Sequence, residues 1–233
     1  MHAVGQGFPG ALERPALTAA QDAAVAKLRY VGGEPGAIAV LCGPTGVGKT
    51  TVLARVGNAG TCCRTVRLSS SGCRPEIGPE ADPGGREASS PARATLLLVD
   101  DADRVEAAVL RGFLEEERRR EPDQGVVLAG TGRLLTMLSG DPAVERAVRL
   151  RVVVPVLTLA ETARIVLTRW PSAPGEDEAS GVIRTIHEIA GGVAAAVHRL
   201  ADVAAMLSAA EPGRPITVED VEAIHRRLSP LAA

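Results

Sequence analysis

The stretch Ala37-Ile-Ala-Val-Leu-Cys42, followed without a break by Gly43-Pro44-Thr45-Gly46-Val47-Gly48-Lys49-Thr50-Thr51, decides the fold. A continuous apolar run of strand length marks a strand buried on both faces. The segment after it satisfies the pattern G-x-x-x-x-G-K-[ST], and a helix from about Lys49 to Val56 follows. Each residue type has a physical job. The glycines let the backbone curl so that successive N–H groups point at one anion. The helix adds its own unpaired N–H groups and the positive end of its dipole. Lys49 brings a compact cation to the β- and γ-phosphates of a nucleotide, and Thr50 offers a hydroxyl to Mg²⁺. Gly43, Pro44, Thr45, Gly46, Val47, Gly48, Lys49, Thr50 and Thr51 are therefore expected to hold nucleotide, with Thr50 also a metal ligand. Of the 26 basic residues only Lys27 and Lys49 are lysine, so one of the two stands at the position the pattern demands.

Outward from this turn, short apolar runs alternate with helical stretches. Thr61–Leu68, Thr95–Asp100, Val126–Gly130 and Arg151–Val154 read as further strands. Helices are expected from Thr18, as cap, to Tyr30, from Asp103 to Glu121, and from Gly132 to about Arg149 with a break at Pro142. Alternation of this kind implies a parallel sheet covered by helices. After Pro155 only helices are visible: Leu159–Trp170, Gly181–Ala190 after a Ser180 cap, Gly192–Ala210, and Val218–Leu228 after a Thr217 cap. The expected fold is α/β, a parallel sheet flanked by helices in residues 1–155, followed by a small all-helical lid in residues 156–233. The Ser- and Pro-rich stretch Ser69–Arg93 reads as a disordered or surface excursion, with a partner-contacting loop as the alternative.

Leu96-Leu-Leu-Val99-Asp100-Asp101-Ala-Asp103 carries the second signal. An apolar strand that ends in acids delivers carboxylates to the edge where the phosphate-binding turn lies. Asp100 is expected to hold the Mg²⁺ shell, and Asp101 to orient or deprotonate an attacking water. Asp103, with Glu106 three residues on, reads as the cap of the next helix.

Composition narrows the rest. The 233 residues carry 26 basic and 28 acidic side chains, a net charge of −2, which argues against a surface that is basic all round for nucleic acid and leaves a local patch open. Aromatics are only 2%, so the core must be aliphatic. The longest apolar run, Val152 to Ala160, contains Pro155 and Thr158 and is too short to span a bilayer. No secretory signal is visible at the N-terminus, so a cytoplasmic location is expected. Cys42, Cys62, Cys63 and Cys73 form no disulfide framework and lack metal spacing with any histidine. Glu115–Glu121 reads as a solvated helix end with opposite charges three and four apart.

These motifs together resemble the AAA+ superfamily of P-loop NTPases. Within it the chain looks most like the general secretion pathway protein A (ExeA-type) ATPases and the transposition-helper ATPases. Besides the two motifs, Val127-Leu-Ala-Gly-Thr131-Gly-Arg-Leu-Leu135, Leu157-Thr-Leu-Ala-Glu-Thr162 and the Gly191-Gly192 pair carry the resemblance. It implies that Thr131 senses the γ-phosphate, with capping of the following helix as the competing role. It also implies that an arginine finger reaching a neighbouring protomer lies among Arg146, Arg149 and Arg151, with Arg146 and Arg149 favoured. The family's lid arginine is missing: Ala194 and Ala195 stand in its place, and His198 and Arg199 follow about one turn later. The implied protein is an ATP-binding, Mg²⁺-dependent ATPase, a homo-oligomer that exchanges ATP and ADP and switches a partner protein, with slow turnover. The alternatives are a DNA-associated assembly factor and a module that binds ATP without turnover.

Overall fold

In the computed structural model, which describes residues 17–31, 34–57, 63–68, 96–169, 176–211 and 214–228, the chain runs α1 (Ala19–Val31), β1 (Ile38–Cys42), α2 (Lys49–Gly57), β2 (Cys63–Arg67), β3 (Leu96–Asp100), α3 (Ala107–Arg120), β4 (Gly125–Gly130), α4 (Gly132–Ser139), α5 (Pro142–Ala147), β5 (Val148–Val153), α6 (Leu159–Arg169), α7 (Glu176–Ala190), α8 (Ala194–Ala210) and α9 (Val218–Leu228). The five strands form one sheet in the order β2-β3-β4-β1-β5, and every pairing is parallel. The expected α/β architecture is the one observed.

Side-chain alternation explains why apolar runs rather than alternating patterns make this sheet. Ala39 and Leu41, Leu96 and Leu98, and Val127 and Ala129 face one side, against Ala24 and Leu28 of α1 and Leu53 of α2. Ile38 and Val40, Leu97 and Val99, and Val126 and Leu128 face the other, against Leu110 of α3 and Leu134 and Leu138 of α4. Both faces are covered, so no position along β1, β3 or β4 is left to water. Truncating Leu98, which is fully buried, to alanine costs about 2–5 kcal/mol by lost transfer energy plus the cavity left behind.

The helices α6 to α9 gather around a separate apolar cluster that includes Leu157, Val166, Ile186, Val197, Leu200 and Val221. Two of them start on reciprocal caps. At α6 the Thr158 amide donates to Glu161 and the Glu161 amide to the Thr158 hydroxyl. At α9 the Thr217–Asp220 pair does the same. Each such cap is worth about 1 kcal/mol. No helix among the described residues is long and apolar enough to cross a membrane.

The three largest boundary differences from expectation lie at β5, α7 and α3. Strand β5 begins at Val148, which removes Val148 and Arg149 from the expected helix. Helix α7 begins at Glu176 rather than after Ser180, and α3 begins at Ala107, four residues after the expected cap. The helix end is solvated as read at Arg119, which pairs with Glu115 and Glu116, and at Arg120, which pairs with Glu116, but Glu117 is buried and pairs with Arg64 of β2. The Ser69–Arg93 stretch, the first sixteen residues, Cys62, Cys73 and Trp170 lie outside the described residues.

Candidate functional site

The strand order places the site. From β1 the chain crosses to β2 at the far edge and returns through β3 to β4, beside β1; β5 then pairs on the other flank of β1. A ligand crevice is expected outside the carboxyl ends of strands where the winding reverses, and Gly43, Asp101 and Thr131 directly follow the ends of β1, β3 and β4.

The turn after β1 requires its glycines. Gly46 and Gly48 have φ of +86° and +100°. A Cβ on Gly43 would lie 2.6 Å from the Val154 carbonyl oxygen, and one on Gly48 2.5 Å from Gln21 Nε2. Val47 is buried in the core under α1 and α2, so it can meet a ligand only through its peptide. Lys49 Nζ curls back to donate to the carbonyls of Gly43 (2.8 Å) and Pro44 (2.9 Å). Lys49 is only 8% exposed and makes no ion pair with a carboxylate among the described residues. A buried ammonium hydrogen-bonded only to carbonyls is short of counter-charge, which a phosphate would supply.

At the end of β3, Asp100 is 3% exposed and its carboxylate is fully engaged. Oδ2 accepts from the Thr50 hydroxyl at 2.6 Å and from Arg67 at 3.3 Å, and Oδ1 accepts from the Asp101 amide at 3.0 Å. The Thr50–Asp100 pair is a donor set suited to Mg²⁺, which keeps several waters and takes one or two protein oxygens plus substrate phosphate. Among the described residues no group of three or more His, Cys, Asp or Glu gathers to hold a metal. Asp101 has φ of +53° and pairs with Arg104 at 3.3 Å. That left-handed backbone, uncommon for a residue other than glycine, turns the chain sharply out of the strand.

Asp103 overturns its expected role. Glu106 occupies the N-cap of α3 and makes no side-chain cap. Asp103 instead accepts from the Thr131 amide at 2.9 Å and from the Thr131 hydroxyl, tying the ends of β3 and β4 together. Burial pushes the Asp103 carboxyl up, but the hydrogen bonds from Thr131 and the nearby charge of Lys49 outweigh it and hold it below its ordinary 3.8. The Thr131 oxygen also accepts from the Arg133 amide at 3.4 Å, capping α4.

The opposite wall comes from α6 and α8. The Ala195 amide donates to the Gly46 carbonyl at 2.9 Å, and a Cβ on Gly46 would meet Val193 at 2.9 Å and Ala195 at 3.1 Å. The start of α8 thus rests directly on the phosphate-binding turn. Leu157, Ile165, Ala194, Ala195 and His198 line this wall, Arg199 does not, and the whole cleft encloses about 840 Å³, ample for a nucleotide. Thr45, Gly46, Gly48, Lys49, Thr50, Thr51, Asp100, Asp101 and Thr131 all line it. Gly43, Pro44 and Val47 build the turn without lining the cleft. Arg146 and Arg149 are exposed and lie outside it; the Arg146 guanidinium donates back to the Pro142 carbonyl.

Two cleft residues carry no sequence motif. Gln21 of α1 is 7% exposed; it donates to the Val47 carbonyl at 2.9 Å and accepts from the Thr18 amide, so it buttresses the turn from below. Arg67 is legible only once β2 is paired with β3 in the register that sets Arg67 beside Asp100.

Solved structures share this fold. The Aeropyrum pernix ORC2 protein, in its ADPNP–ADP complexes, superposes with a TM-score of 0.63 at 16% identity, over 91% of this chain and 68% of that one. NtrX from Brucella abortus in complex with ADP gives 0.62 at 14% identity, over 94% of this chain and 56% of its own. A parallel sheet flanked by helices and followed by a helical region is the fold that this chain shares with them. The Thermotoga maritima RuvB Holliday junction branch migration motor gives 0.55 at 15% identity, over 89% and 67%. No protein-family model matches the chain, and no curated protein sequence matches it.

Proposed function

We propose that this chain is an ATP-binding, Mg²⁺-dependent AAA+ ATPase that works as a homo-oligomeric switch on a partner protein in the cytoplasm. The observation that carries the reading is the buried Lys49 ammonium without a carboxylate partner, set in a glycine turn beside the Thr50–Asp100 pair. On loading, Lys49 exchanges the Gly43 and Pro44 carbonyls for phosphate oxygens, a stronger, charge-assisted bond. Thr50 and Asp100 would hold Mg²⁺, which would supply charge neutralisation to the phosphates. Asp101 orients the attacking water or takes its proton once Arg104 releases its carboxylate. Thr131, fixed by Asp103, senses the γ-phosphate. Arg146 or Arg149 completes a neighbouring protomer's site, a contribution of about 10³–10⁵ in rate where such a finger acts. Residues 1–155 form the nucleotide-gripping domain and 156–233 the lid that reports its state through the Ala195–Gly46 contact.

One observation favours slow turnover or binding without turnover: Ala194 and Ala195 face the cleft where a lid arginine would stand. A DNA-associated role, like that named for RuvB, rests on the resemblance to transposition helpers; so does the placement near the ExeA-type group. The test is an ATPase concentration series with parallel mass measurement, with and without DNA. Phosphate release that climbs with oligomerisation supports the switch. Background release from a fully assembled oligomer leaves the binding-only module. Activity that appears only with DNA selects the assembly factor.

A further inference from the structure

Asp100 is a nearly buried carboxylate, and such a charge needs a compensating cation. Lys49 does not serve, because its ammonium is turned to the Gly43 and Pro44 carbonyls. The cation in contact is Arg67, at 3.3 Å from Oδ2, the same oxygen that accepts from the Thr50 hydroxyl. The contact is long and the Arg67 side chain is 51% exposed, so it is a loose partner on a fixed acid. The register of β2 on β3 leaves Arg67 beside Asp100 at the sheet edge, where it forms part of the cleft wall.

We propose that Arg67 is a placeholder cation, which neutralises Asp100 while no metal is bound and must yield that carboxylate when Mg²⁺ loads with nucleotide. This rests on the nucleotide reading given above. A guanidinium and a dication on one carboxylate repel, and the more exposed, more weakly held of the two moves. The other acids of the wall are engaged, Asp101 by Arg104 and Asp103 by Thr131. A displaced Arg67 therefore finds its next anion in the phosphate chain. Arg67 thereby sets how much Mg²⁺ the protein needs.

The experiment is fluorescent ADP-analogue binding at Mg²⁺ concentrations from chelator to several millimolar, for wild type, Arg67→Ala and Arg67→Lys, each checked for folding by thermal unfolding. The Mg²⁺ concentration at half-maximal effect is expected to fall by about three- to tenfold in Arg67→Ala, the scale of a partly exposed ion pair. Arg67→Lys keeps the charge and is expected to restore the wild-type midpoint. A midpoint that stays put or rises in Arg67→Ala overturns the proposal while leaving nucleotide binding intact. If Arg67→Ala fails to fold, an unshifted midpoint in Arg67→Glu overturns it equally. Wild-type protein that binds no nucleotide at any Mg²⁺ concentration overturns the functional reading and this inference with it.

Discussion

The two walls of the cleft are built from opposite materials. The sheet wall is a chain of committed polar groups: Lys49 on carbonyls, Thr50 and Arg67 on Asp100, Arg104 on Asp101, Thr131 on Asp103. The helical wall offers Leu157, Ile165, Ala194 and Ala195, one histidine, and a backbone amide on the Gly46 carbonyl. Charge therefore resides on one side and shape on the other. In such a site, loss of a firmly held sheet-side group removes binding or order outright, the loosely held Arg67 excepted, whereas the helical side tunes closure.

The largest expected effect is at the turn. Lys49→Ala should weaken ATP by at least about 100-fold in calorimetry, since it removes the ammonium whose charge-assisted bonds hold the phosphates. Unchanged affinity would break the contrast at its strongest point. Next is Asp103→Ala, which orphans the Thr131 amide and hydroxyl at the ends of β3 and β4. A loss of about 1–3 kcal/mol in denaturant unfolding is expected for buried donors left unpaired, with Thr131 no longer fixed. The same carboxyl gives a pH signature. Its folded pKa lies below the unfolded value, so its stabilisation is present above about pH 4 and is lost as pH falls through the folded pKa. Asp103→Asn should flatten that acid limb.

Asp103 also shows where the sequence stops being legible. The strand, turn and acid motifs are local, and β1, β3 and β4 lie where apolar runs and glycines put them. Lys49, Thr50 and Asp100 line one cleft because β1 and β3 end at the same edge of the parallel sheet. Asp103 was read as a helix cap from its spacing to Glu106, yet its partner Thr131 is 28 residues away, and a tertiary contact outweighed a local propensity worth about 1 kcal/mol. Arg67 and Gln21 were invisible for the same reason: their roles come from inter-strand register and helix packing. The shift of Arg149 from helix to strand reflects Val148, whose β-branched side chain and following residues pair with β1.

On the helical side, Ala195→Arg sharpens the comparison by adding the missing charge. Ala195 is exposed and its amide already touches the turn, so an arginine there can enter the cleft without displacing core. ATP affinity is expected to rise by about three- to tenfold over ADP, the worth of one partly solvated charge-assisted bond. An equal gain for both nucleotides would mean that the lid does not reach the terminal phosphate.

The smallest effect belongs to His198, the one ionisable group on the helical wall. Its Nδ1 is buried with no hydrogen-bond partner among the described residues. Burial, reinforced by the Arg169 guanidinium against the opposing pull of Asp202, depresses its pKa below the ordinary 6.5. The native state therefore resists a proton that the unfolded chain accepts. Stability is expected to be flat above about pH 6.5 and to drift down as pH falls below it, levelling once the folded imidazole also protonates. His198→Gln should remove the drift while leaving the Asp103 limb at lower pH in place. Thermal unfolding scanned from pH 8 to about pH 2 separates the two limbs, because one originates on each wall. If both disappear together in either variant, the walls are energetically one unit, and a lid that moves against the sheet loses its physical basis.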